Sequence, residues 1–126
     1  MAALPTGTFK DLIMIKEKTV KLLDKDVAVR YCAASEQGFE QIRKKSIYEI
    51  DFNLREDLIA LCIASIIAAY ARKKEEPPIT SDDVIYELTS EEFQTLAMAV
   101  VELRGEWYQK PEVIKDEPKE DDGPKN

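Results

Sequence analysis

The sequence contains no histidine and only two cysteines, Cys32 and Cys62, far apart and each set among apolar residues. The first absence removes the commonest general base and the commonest metal ligand, and the second leaves no CxxC pair to begin a zinc site. The four glycines, at positions 7, 38, 105 and 123, are scattered, so no glycine-rich loop is present to cradle a nucleotide phosphate. No serine, cysteine or lysine has an evident activating neighbour. Two acidic pairs are left. Asp82-Asp83 reads as a helix start and Asp121-Asp122 as part of a solvated tail, and neither has calcium-loop spacing. The expectation is a protein that is not an enzyme, with no catalytic residue, no metal ligand and no cofactor.

A basic stripe is also lacking. The formal net charge is -7, and the excess of acids falls almost wholly in the second half of the chain. Such a chain repels phosphate backbones, so nucleic acid is not an expected partner, whereas basic protein surfaces are. The longest apolar run, LIALCIASIIAAYA at 58–71, is shorter than the roughly 20 residues a membrane span needs and is closely flanked by charge, so it reads as a buried helix. The start, MAALPTGTFKDL, lacks a basic stretch leading into an apolar one, and no secretory signal is expected. Both cysteines are then expected as buried, reduced thiols of a cytoplasmic protein.

A chain of 126 residues with one long apolar segment fits a single domain. The expected class is mainly α (α+β): a small helical domain over 9–108 with an amino-terminal β-hairpin, a flexible start at 1–8 and a disordered acidic tail at 109–126. Val20 and Leu22 alternate with Lys21, and Val27, Val29 and Tyr31 alternate with Ala28, Arg30 and Cys32, which predicts strands within 18–32 around a polar break at Asp24-Lys25-Asp26. A continuous helix from Phe9 to Leu23 is the alternative. Ser35 is placed to cap a helix over 35–45, with Gly38 weakening its first turn, and Asn53 to cap one over 54–74 whose first turn carries Glu56 and Asp57. Thr80 heads a helix over 81–88 that contributes Val84, Ile85 and Leu88. Thr89 and Glu92 have capping-box spacing for a helix over 90–104 with Phe93, Leu96, Ala97, Val100, Val101 and Leu103 at helical intervals, which Gly105 is placed to end in a left-handed conformation. Beyond Tyr108, prolines and charges predominate, too few apolar groups for ordering.

Without chemistry to perform, the exposed apolar groups become the functional candidates. A domain this small cannot cover every side of the 58–71 helix, and a leftover patch would seek a partner. Partner contacts are assigned to Ile63, Ile67, Tyr70, Val100, Trp107 and Tyr108, with Trp107 also open to a role in covering the core.

The stretch from Leu54 to Trp107 resembles the tail assembly chaperones of long-tailed (siphovirus-type) bacteriophages. The likeness rests on the helix LREDLIALCIASIIAAYA, a polar link, the segment ITSDDVIYELTSEEFQTLAMAVVELRG with its two helix starts and closing glycine, and a charged tail; upstream, KTVKLLDKDVAVRYCAASEQGFEQI is similar to the family's opening strand pair and helix. The link ARKKEEPPIT departs from the aspartate- and glycine-containing turn common in that family. The resemblance implies a non-virion factor in the host cytoplasm that binds the tape measure protein, keeps it from aggregating, self-associates as a homo-oligomer, and recruits tail tube protein through a frameshifted extended form. Two other readings are a small acidic inhibitor of a basic protein target and a virion head-tail connector subunit.

Overall fold

The computed structural model describes residues 16–109. Within them the chain is mainly α with a two-stranded antiparallel hairpin, the expected class. The expected flexible start at 1–8, the first part of the alternative helix at 9–15 and the tail beyond Gln109 lie outside the described residues. No helix among those described is long and apolar enough to cross a membrane.

Strand β1 (Glu17–Leu22) pairs with β2 (Lys25–Arg30) from Leu22↔Lys25 out to Glu17↔Arg30, so period-two alternation prevails over the helical alternative in the part of it that is described. Val20 lies opposite Val27 across the hairpin, Leu22 and Val29 share the same face, and all four enter the core. The turn is Leu23-Asp24, not the polar triplet one residue later. Its two residues have φ of 53° and 63°, the left-handed pair whose twist matches a two-residue hairpin. Leucine is a poor intrinsic choice there, and distant groups hold it. Its side chain packs on the core and its N–H donates to Glu92 Oε2 at 2.9 Å.

Helix α1 (Ala33–Arg43) starts earlier than expected. Ser35 lies inside its first turn, where its hydroxyl donates to the Arg30 carbonyl at 2.7 Å and accepts the Cys32 N–H at 3.1 Å, tying strand end to helix start. Gly38, read from sequence as a weakness, is a packing requirement: a Cβ there would lie 2.9 Å from Ala64 Cβ on the next helix. Lys44 closes α1 with φ 60°. A 3-10 turn, Ile47–Glu49, follows, with Ser46 accepting the Tyr48 N–H.

Helix α2 (Arg55–Ala71) is the centre of the molecule, packed against α1, β2 and the last helix. Its N-cap is Leu54 and not Asn53, and the polar organisation of its start comes from Asp57. That carboxylate is fully enclosed; it accepts Arg43 Nε at 2.7 Å, Lys45 Nζ at 2.8 Å and the Asp51 N–H at 2.9 Å, joining the end of α1, the intervening loop and the start of α2. Burial pushes its pKa up, but Lys45, the Asp51 amide and Arg43 together outweigh burial and bring it down to about 2. At the other end Lys74, at φ 59°, donates to the Ala71 carbonyl while Glu75 donates to that of Tyr70, a Schellman closure with lysine where glycine is usual.

The expected helix at 81–88 is wound as a π-helix over Asp83–Glu87, entered through reciprocal bonds between Thr80 and Asp83. The wider winding turns Val84 inward and leaves Ile85 and Tyr86 exposed. Helix α3 (Ser90–Trp107) has the expected capping box: Thr89 Oγ1 accepts the Glu92 N–H at 3.1 Å and Glu92 Oε1 accepts the Thr89 N–H at 3.0 Å. Gly105 does not terminate it. The helix runs through Gly105 to Trp107, and no described glycine has positive φ.

Candidate functional site

Among the described residues the fold leaves a track of adjoining hollows that follows the α2–α3 seam and ends on α3, apolar at its two ends and mixed polar and apolar between them. It begins as a groove of about 350 Å³ between α2 and the following link, formed by Ile63, Ile66 and Ile67 on one side and Pro77, Ile79 and Val84 on the other. Val84 is shared with the next hollow, about 300 Å³, where the partly buried Ile59, Leu88 and Phe93 lie beside the exposed Ile85. Arg55, Ser90 and Phe93 lead on to one of about 310 Å³ against Phe52, Leu58 and Ala97. Gln94 and Ala97 continue into a shallow depression of about 240 Å³ beside Met98 and Val101. Residues far apart in sequence thus line one surface, because the π-helical segment connects the two long helices and turns Ile85 outward while Val84 packs inward.

The six residues assigned to partner contact do not form one site. Ile63 and Ile67 meet in the first groove, Ile63 at its floor with 8% exposure and Ile67 standing out at 50%. Tyr70 is half-buried and its hydroxyl accepts the Ala28 N–H at 2.9 Å, so it completes the open edge of β2. Val100 is corrected outright: it is fully buried in the core and presents nothing to a partner. Trp107 covers the core, half-buried with its ring 6.3 Å from that of Tyr31. Tyr108 is 45% exposed beside it.

Those last aromatics belong to a second, polar-aromatic cluster at the end of α3. Tyr31 donates to Glu36 at 2.8 Å, Tyr108 also donates to Glu36, and Arg104 Nε donates to the Tyr31 hydroxyl at 3.2 Å. The Arg104 guanidinium lies 5.3 Å from the Phe52 ring centre and 5.0 Å from that of Tyr108. Burial, reinforced by the Glu36 carboxylate, pushes the Tyr108 phenol up to about 12 and Tyr31 higher still, so both remain proton donors at neutral pH. The cluster fastens α3 to α1 and to the loop before α2.

Sequence reasoning missed Met98, Phe52, Phe93, Pro77 and Ile79. Met98 and Val101 are the apolar members of a helix face that also carries Gln94 and Glu102, a mismatch visible from the spacing alone. The cysteine expectation is half corrected: both thiols are free, Cys62 is buried with its pKa raised to about 12 by desolvation, and Cys32 is only partly covered. Comparisons of the chain with known protein families, with curated proteins and with solved structures find no match.

Proposed function

We propose that this chain is an assembly chaperone that lays the α2–α3 track over the apolar stripe of a long helical client, the tape measure protein of a long-tailed bacteriophage being the client that the sequence resemblance implies. The observation that carries the reading is the continuity of the track from Ile67 to Val101. A compact enzyme pocket is a single concavity, whereas successive shallow hollows along two helices suit a repeating row of side chains from another helix. Met98 is 57% exposed and Val101 45%, large apolar groups on a surface that gains by being covered. A client many helical turns long would take up many copies side by side, which accords with a self-associating protein acting before tube subunits, recruited by an extended form, replace it.

The test is co-production of the tape measure protein with this chain, following the client's soluble fraction. The expected result is a soluble complex with the wild type and aggregated client with the Met98→Asp/Val101→Asp double variant, whose exposed positions leave the fold intact by circular dichroism. A client whose solubility is the same with and without the chain would refute the proposal.

A further inference from the structure

Carboxylates predominate in the chain segment that borders the first groove, with Lys25, which donates to the Pro78 carbonyl at 3.2 Å, as a nearby cation among the described residues. Between the Arg72-Lys73-Lys74 run and Arg104 the sequence has no lysine or arginine, and every charged side chain in that interval is an aspartate or glutamate. Glu76 itself lines the groove, Glu75 precedes it, and Asp82 and Asp83 follow Ser81, another lining residue. Of these, Asp83 is engaged locally, accepting the Thr80 N–H at 2.9 Å; neither Glu76 nor Asp82 takes part in an ion pair among the described residues. An apolar floor of Ile63, Ile66 and Ile67 thus sits beside carboxylates that form no ion pair among the described residues, the nearby Lys25 ammonium being taken up by the Pro78 carbonyl.

We propose that this groove takes an amphipathic helical segment whose aliphatic anchors are flanked by lysine or arginine, the anchors entering between Ile67 and Val84 while the basic groups meet Glu76 and Asp82. The inference rests on the chaperone reading for the idea of a helical client and adds to it which part of the client is bound here and by what charge. The groove volume, about 350 Å³, is at the small end of ligand pockets, so it holds a short anchor and not a whole helix face. Charge opposition across the rim raises the encounter rate and fixes the direction of the bound segment, while the apolar contact governs its residence time.

The test uses the full chain and three synthetic 14-residue peptides by isothermal titration: an amphipathic leucine/lysine helix, its leucine/glutamate counterpart, and a lysine/serine peptide of the same charge as the first. The expected result is binding of the leucine/lysine peptide alone, weakened at least tenfold by Ile67→Lys and again by raising the salt from 0.05 to 0.5 M, whereas Glu76→Lys/Asp82→Lys reverses the preference toward the leucine/glutamate peptide. Equal binding of the leucine/lysine and lysine/serine peptides, or undiminished binding by a folded Ile67→Lys chain, overturns the assignment. The two levels separate cleanly. If the wild type keeps the tape measure protein soluble and Ile67→Lys does so equally well, the chaperone reading stands and the groove assignment falls; if the peptides bind as expected but the client aggregates regardless, the reverse holds.

Discussion

Replacing Asp57 by asparagine keeps the shape of the side chain and removes its charge, and the structure sets the cost. In the native protein the carboxylate is fully enclosed and accepts from Arg43, Lys45 and the Asp51 amide at 2.7 to 2.9 Å. Removing one member of a buried ionic set costs about 3–5 kcal/mol when the remaining charges are stranded in the interior. Here the Arg43 and Lys45 side chains keep 29% and 25% of their exposure and recover some hydration, which lowers the expected loss to about 3 kcal/mol. Titration gives a compatible figure. A carboxyl held at about 2 in the folded protein, against an ordinary value of 3.8, contributes about 2 kcal/mol at neutral pH. Because the folded pKa is depressed, that contribution is complete above pH 4 and disappears as the pH falls from about 4 toward 2. Urea unfolding of wild type and Asp57→Asn, compared at pH 7 and at pH 2.5, should show a gap of about 3 kcal/mol that narrows by more than half on acidification. A gap below about 1 kcal/mol at pH 7, or one that is the same at both pH values, would refute the account of Asp57 as the ionic staple of α1 and α2.

The close approach of α1 and α2 makes Gly38→Ala destabilising by about 1–2 kcal/mol despite alanine's better helix propensity, and Ala64→Gly in the same chain should restore part of the loss in thermal unfolding. Ser65 is buried with no hydrogen-bond partner for its hydroxyl among the described residues, so Ser65→Ala should leave stability unchanged or raise it by up to about 1 kcal/mol in urea titration; a loss of similar size would mean that the hydroxyl is bonded after all. Lys44 occupies a left-handed helix end, and Lys44→Gly should raise the melting temperature, by about 1 kcal/mol of stability. In native protein a maleimide reagent should label Cys32 readily and Cys62 only at the rate of unfolding; equal rates at neutral pH would contradict the burial of Cys62.

The features legible in the sequence are those decided within a few residues. Thr89 and Glu92 form their capping box because the spacing alone brings hydroxyl and carboxylate to each other's amides. The 58–71 segment is the central helix because an apolar group on nearly every side requires cover on nearly every side. Other features depended on contacts that no local window contains. The turn falls on Leu23 because Glu92, 69 residues away, binds its amide. Gly105 stays helical because the next turn docks Trp107 on Tyr31, which outweighs the roughly 1 kcal/mol that glycine costs in a helix. The candidate site suffered from the same limit. α3 is apolar at Val100 and at Met98 alike, and only the position of the neighbouring strand and helix decides that the first is core and the second surface. The segment at 81–88 reads as an ordinary helix, and nothing in its spacing announces the π winding it adopts.

The bond from the hairpin turn to Glu92 has a consequence for synthesis on the ribosome. Lys18, Leu23 and Tyr31 find their partners in Glu102, Glu92 and Arg104, so the strands made first are secured by the helix made last. A nascent chain stopped before Ser90 holds a two-stranded ribbon fastened through β2, which packs on α2 and donates the Ala28 N–H to Tyr70, while β1 still lacks its contacts with α3. The molecule therefore becomes whole only after α3 has emerged, and anything that delays that helix leaves β1 exposed to whatever else is being made nearby.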